Sequence, residues 1–114
     1  MTLTMTRTNF EALKIKPTPF TFELEDFSDP EIPLKLIRPL KLNVTFENGK
    51  YFVESEELNM FTFNHDLEKV ISDLEWYFFA LWENYVLEKD EKLASSGLRF
   101  KKLIQTYAEE KHVL

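Results

Sequence analysis

Apolar and polar residues alternate through Leu40-Lys41-Leu42-Asn43-Val44-Thr45-Phe46. The alternation resumes in Tyr51-Phe52-Val53-Glu54, after Glu47-Asn48-Gly49-Lys50. A period of two marks β-strands. Asn-Gly is the preferred two-residue type I′ hairpin loop, because both of its positions take positive φ. That loop sets a register in which Phe46 faces Tyr51, Val44 faces Val53 and Leu42 faces Ser55. These side chains share one face, while Lys41, Asn43, Thr45 and Glu54 point to the other. Phe52 breaks the pattern by projecting from the polar face, which marks either an interface or a site covered by the N-terminal arm. Glu57-Leu58-Asn59-Met60-Phe61-Thr62-Phe63 predicts a third extended segment.

From about Asp66 the period changes to that of a helix reaching Leu87. At 100° per residue, Leu67, Val70, Ile71, Leu74, Phe78, Leu81, Trp82 and Tyr85 form one stripe suited to the sheet. Glu68, Lys69, Ser72 and Asp73 oppose it in the first half. In the second half the far side holds Trp76, Phe79, Ala80, Val86 and Leu87 instead. A helix that is apolar all round is buried all round, so the arm, the C-terminal helix, a second copy or another protein must cover this side. The candidate interface residues are therefore Phe52, Trp76, Phe79, Glu83 and Leu87.

The flanking segments carry shorter patterns. In Pro17-Thr18-Pro19-Phe20-Thr21-Phe22-Glu23-Leu24, the residues Phe20, Phe22 and Leu24 fall to one side. Prolines 17 and 19 cannot donate to a ladder, which predicts an edge strand. Glu88-Lys89-Asp90-Glu91-Lys92 reads as a solvated loop. Ser95-Ser96-Gly97 precedes a helix over about 98–111, with Ser95 or Ser96 as N-cap. Its face of Phe100, Leu103, Ile104 and Tyr107 is narrow, and Arg99, Lys101 and Lys102 form a solvated basic patch. The fold class is α+β: an antiparallel sheet of three to four strands (a β-β-β-α core) on one long helix. One domain spans 1–114, with an N-terminal arm at 1–38, the sheet-plus-helix core at 39–88 and a C-terminal helix at 95–111.

Composition narrows the function classes. The 114 residues are 44% hydrophobic and 15% aromatic, enough for a core without disulfides, and the eleven Phe exceed what such a core needs. Cysteine is absent, which excludes Cys-ligated metal sites. Twenty acidic against fourteen basic side chains give a net charge of −6, which opposes direct nucleic-acid binding and favours a basic protein partner. His65 and His112 are the only histidines, and they lack metal-ligand spacing. His65 reads as a polar residue at the mouth of the long helix. Two glycines cannot build a phosphate loop. Glu56 and Glu57, adjacent on a polar segment, read as solvated charge. The expectation is a non-enzymatic protein without metal or cofactor. The opening residues lack the apolar region of a signal peptide, and no stretch approaches the ~18 apolar residues of a membrane span, which predicts a cytoplasmic, membrane-free protein.

The core resembles the HicB-type antitoxin family, whose N-terminal module is similar to a partial ribonuclease-H fold without its catalytic acids. Tyr51-Phe52-Val53-Glu54 stands in the place of the family's second strand, Glu57-Leu58-Asn59 in that of its Glu-Leu-Pro, and Asn64-His65-Asp66-Leu67-Glu68-Lys69-Val70 in that of its Gly-Asp-Thr-Leu-Glu-Glu-Ala helix start. Asn64 replaces a glycine, as a residue that tolerates left-handed φ. Asp66 replaces the N-cap threonine and Val70 an alanine, and the proline and glycine after Leu58 are missing. The resemblance implies a protein that masks a small basic RNA-cleaving toxin. The family's usual appended DNA-binding domain has no counterpart after Leu87. The other reading is a homodimer or higher homo-oligomer without a toxin partner, in which the same aromatics form the interface.

Overall fold

The computed structural model describes Thr2–Met5 and residues 10–111. It is an α+β fold whose elements, in order, are β1 (Thr2–Met5), α1 (Phe10–Lys14), β2 (Phe20–Leu24), β3 (Leu34–Leu36), β4 (Leu40–Glu47), β5 (Lys50–Ser55), β6 (Met60–Asn64), α2 (Leu67–Leu81), α3 (Ser95–Gln105) and β7 (Ala108–Glu110). A π-helical segment, Trp82–Val86, continues α2, and a 3-10 turn, Asp90–Lys92, precedes α3.

The hairpin β4–β5 forms as its turn chemistry requires. Asn48 and Gly49 adopt φ of 53° and 76°, and Val44 pairs with Val53 and Phe46 with Tyr51. Leu42, Val44, Val53 and Ser55 are buried on the inner face, whereas Phe46 near the loop remains half exposed. The following strand starts later than its sequence predicts. Glu56–Asn59 form a turn, closed by Asn59 N–H donating to Glu56 O at 3.3 Å, and Asn59 takes φ 53°. Asparagine thus supplies the left-handed residue there without a glycine. Asn64, by contrast, is not among the positive-φ residues. It ends β6, and its side-chain oxygen accepts from Asp66 N–H at 3.1 Å.

Strands β2, β4, β5 and β6 form the expected antiparallel sheet, and β1 adds a fifth strand parallel to β2. β2 is therefore not the edge strand that its prolines predicted. Pro17 and Pro19 lie just before the strand and leave its ladder intact. Phe20, Phe22 and Leu24 point inward as their alternation requires.

Helix α2 lies across the inner face, with Leu67, Val70, Ile71, Leu74 and Phe78 buried. Asp66 is its N-cap and accepts from Glu68 N–H at 3.0 Å. Asp66→Ala is expected to cost about 1 kcal/mol, read from urea unfolding with the slope unchanged. After Leu81 the turns widen into the π segment, so the apolar stripe is carried on by Trp82 while Leu81 and Tyr85 are only half-buried.

The C-terminal region departs from the sequence expectation. α3 ends at Gln105, and Ala108–Glu110 forms β7 antiparallel to β3, so the helix does not extend to 111. Its N-cap is Ala94, without a side-chain capping bond, so Ser95 and Ser96 lie inside the first turn. The small β3–β7 sheet buries Leu34, Leu36 and Ala108, and with Ile104 and Tyr107 these residues extend the same core.

Candidate functional site

The five candidate interface residues fall on two surfaces separated by the whole thickness of the sheet and helix. Phe52 lies on the outer face of β5. Trp76, Phe79, Glu83 and Leu87 lie on the side of α2 and its π extension that turns away from the sheet. Phe52 is thus not brought together with the others.

On the outer face, β5 pairs with β6 so that Phe52 stands opposite Phe63 and Glu54 opposite Phe61. The ring centroids of Phe52 lie 5.9 Å from Phe61 and 5.8 Å from Phe63, near-parallel in both cases. Lys50 Nζ lies 5.5 Å from the Phe63 ring centroid, within the range of cation–π attraction. Phe61 and Phe63 are 50% and 52% exposed, and Phe52 beside them is half-buried. Beside them, over β2, β4 and β5, lies a trough of about 540 Å³ whose lining mixes Pro17, Pro19 and Phe20 with Lys41, Asn43 and Glu54.

On the helix side, the loop between β2 and β3 supplies part of the cover. Phe27 packs on Phe78 with centroids 5.4 Å apart, and the indole Nε1 of Trp76 donates to Asp29 Oδ2 at 2.9 Å. Trp76 meets Phe79 edge-on, with centroids 5.9 Å apart. Cover is incomplete. Trp76 remains 37% and Leu87 58% exposed, with Glu83 exposed between them. Among charged neighbours, Asp73 is paired with Lys69 at 2.8 Å.

The same loop is held by a residue that the sequence reading missed. Glu75 is fully buried in α2. Its carboxylate accepts from Ser28 N–H at 2.7 Å and from Ser28 Oγ at 2.9 Å. Burial pushes its pKa up to about 6, against the opposing pull of the Ser28 hydrogen bonds. The signal was present: Glu75 stands four residues after Ile71 and three before Phe78, inside the apolar stripe.

A second polar cluster anchors the C-terminal region. Tyr107 donates to Glu57 Oε2 at 2.5 Å, Arg38 Nη2 reaches Glu57 Oε1 at 2.8 Å, and the Arg38 guanidinium lies 3.7 Å from the Tyr107 ring centroid. The Tyr107 hydrogen bond holds the Glu57 carboxyl below its usual range, and burial raises the Tyr107 phenol. Glu57 is thus committed to a structural clamp, and Asn43 Nδ2 donates to the neighbouring Glu56 at 3.3 Å. His65 sits near the hairpin loop, with Nδ1 3.3 Å from Gly49 O, and His112 lies outside the described residues. A groove of about 670 Å³ between α2 and α3 is lined mainly by Leu58, Tyr77, Leu81, Tyr85, Leu93 and Phe100.

Among the described residues no group of three His, Asp or Glu side chains could hold a metal ion, and no helix is long and apolar enough to cross a membrane. No family model, curated protein or solved structure matches the chain.

Proposed function

We propose that this chain is a non-catalytic protein-binding module of the HicB-antitoxin kind, which masks a small basic protein on the outward side of α2. The observation that supports it is the row of Trp76, Glu83 and Leu87. An indole and an isobutyl group are left open to solvent in line with a carboxylate, and Asp29 stands against the indole. Exposed aromatics are the usual anchors of protein interfaces, and carboxylates around them steer and select a basic partner. The net charge of −6 acts in the same direction at longer range.

The test is capture of partners from the native host by the full chain, with the Trp76→Glu and Leu87→Glu variants as controls. The expected result is a stoichiometric basic protein whose affinity falls with added salt. Each variant should weaken it by roughly thirty-fold, the effect of losing a ~2 kcal/mol hot spot. A partner held equally by the wild type and both variants overturns the assignment to this surface, and capture of nothing overturns the masking role.

A further inference from the structure

The geometry points to a second copy of this chain as the partner of the open edge of β6, through an antiparallel β6–β6 pairing centred on Thr62. The inference rests on the protein-binding reading and extends it by naming one of the partners. It uses the face opposite to Trp76.

Backbone directions in β5 and β6 follow from the hairpin loop. A two-residue hairpin loop closes on a hydrogen-bonded pair, and bonded and non-bonded pairs then alternate along an antiparallel ladder. Glu47 and Lys50 are the closing pair, so Phe52 and Glu54 direct their backbone groups toward β4. Tyr51, Val53 and Ser55 then direct theirs toward Asn64, Thr62 and Met60 of β6. It follows that the N–H and C=O groups of Phe61 and Phe63 face the open side. β6 ends the sheet order, and no backbone partner occupies that side among the described residues.

Edge strands that remain alone are blunted by lysine, proline, a bulge or an inward charge. Met60-Phe61-Thr62-Phe63-Asn64 has no ionisable residue and no proline, and its ladder to β5 is unbroken. Two chains that each carry −6 repel one another in general, and this strand is a neutral point of approach.

The pairing is also self-complementary. With the two-fold axis at Thr62, Phe61 of one copy lies opposite Phe63 of the other, and each such pair exchanges two N–H···O=C bonds. The within-chain partners extend the pattern, because Phe63 already faces Phe52 and Phe61 already faces Glu54. Each row across the joined sheet therefore runs Phe52, Phe63, then Phe61 and Glu54 of the second copy. Three rings from each copy make one continuous slab, closed at both ends by Glu54. The side chains left half exposed in one chain become neighbours across the axis.

The experiment uses the full chain alone, by sedimentation equilibrium over a concentration series. The wild type is expected to be a dimer that dissociates on dilution. The double variants Phe61→Lys/Phe63→Lys and Phe61→Glu/Phe63→Glu should each be monomeric with unchanged circular dichroism. Mixing them should restore the dimer, because the register sets each lysine opposite a glutamate. Hydrogen exchange on the wild type gives an independent readout. The amides of Phe61 and Phe63 should be protected at high concentration and lose protection on dilution, while Thr62 stays protected throughout. A wild type that is monomeric at every concentration overturns the inference. So does a dimer that survives both double variants, a mixture that stays monomeric, or unprotected Phe61 and Phe63 amides in the dimer. Trp76→Glu should leave the dimer intact, so failure of the basic-partner reading and failure of this one are separately visible.

Discussion

Phe78→Ala is expected to remove about 3–5 kcal/mol of stability, the range for truncating a buried phenylalanine. The ring is fully buried on the sheet side of α2 and packs against Phe27 from the β2–β3 loop. Its loss therefore opens a cavity where helix, sheet and loop meet, and none of these can close it without shifting another. Domains of this size hold only ~5–15 kcal/mol in total, so the variant should be largely unfolded under mild denaturant. Phe79→Ala, one residue on and only half-buried, serves as the control and should cost less than half as much. Urea unfolding monitored by tryptophan fluorescence measures both. Equal losses at the two positions would show that the helix does not seat its 78 face on the sheet.

Glu75→Gln is expected to stabilise the protein at neutral pH and to abolish a specific part of its pH dependence. The carboxyl has a pKa of about 6 when folded, against 4.5 as its ordinary value. Between these values the folded state binds more protons than the unfolded chain, so stability falls as pH rises through the window. The contribution is complete below about 4.5 and lost above about 6. The difference corresponds to about 2 kcal/mol. Glutamine keeps an acceptor for the Ser28 N–H and offers a donor to its hydroxyl, without the buried charge. The variant should therefore gain about 2 kcal/mol at pH 8, gain little at pH 4, and lack the slope between. Denaturation of both proteins across this pH range would show it, and a wild-type-minus-variant difference that does not fall as pH rises through the window would contradict the placement of this carboxylate.

The readable parts of the fold were those in which local chemistry and burial agree. Asn48-Gly49 set both turn and register, Asp66 set the start of α2, and strict alternation placed Phe20, Phe22 and Leu24 inward. Three-residue strands have no period to read. Leu34–Leu36 and Ala108–Glu110 are strands because they find each other, a tertiary effect that overrides the helical pattern around Tyr107. The site was legible in part. Phe52 stood out against its polar neighbours, but its grouping with Phe61 and Phe63 depends on the β5–β6 register. That register is fixed by a turn in which Asn59 does the work of a glycine. Trp76 and Leu87 were visible as surplus apolar positions, whereas the loop that partly covers them carried no periodic signal. Glu75 was legible only through its spacing from Ile71 and Phe78, a cue that its ionisable side chain outweighs.

The β3–β7 pairing has a consequence for synthesis. Leu34 leaves the ribosome early and must wait for Glu110, across most of the chain's length. β4, β5, β6 and α2 follow one another with short connections and can assemble from local contacts in the meantime. During that interval Leu34, Leu36 and the underside of the sheet near them lack their final cover. A nascent chain stalled before Tyr107 would carry a formed hairpin and helix beside an open apolar flank, a substrate for chaperones that the finished protein no longer presents.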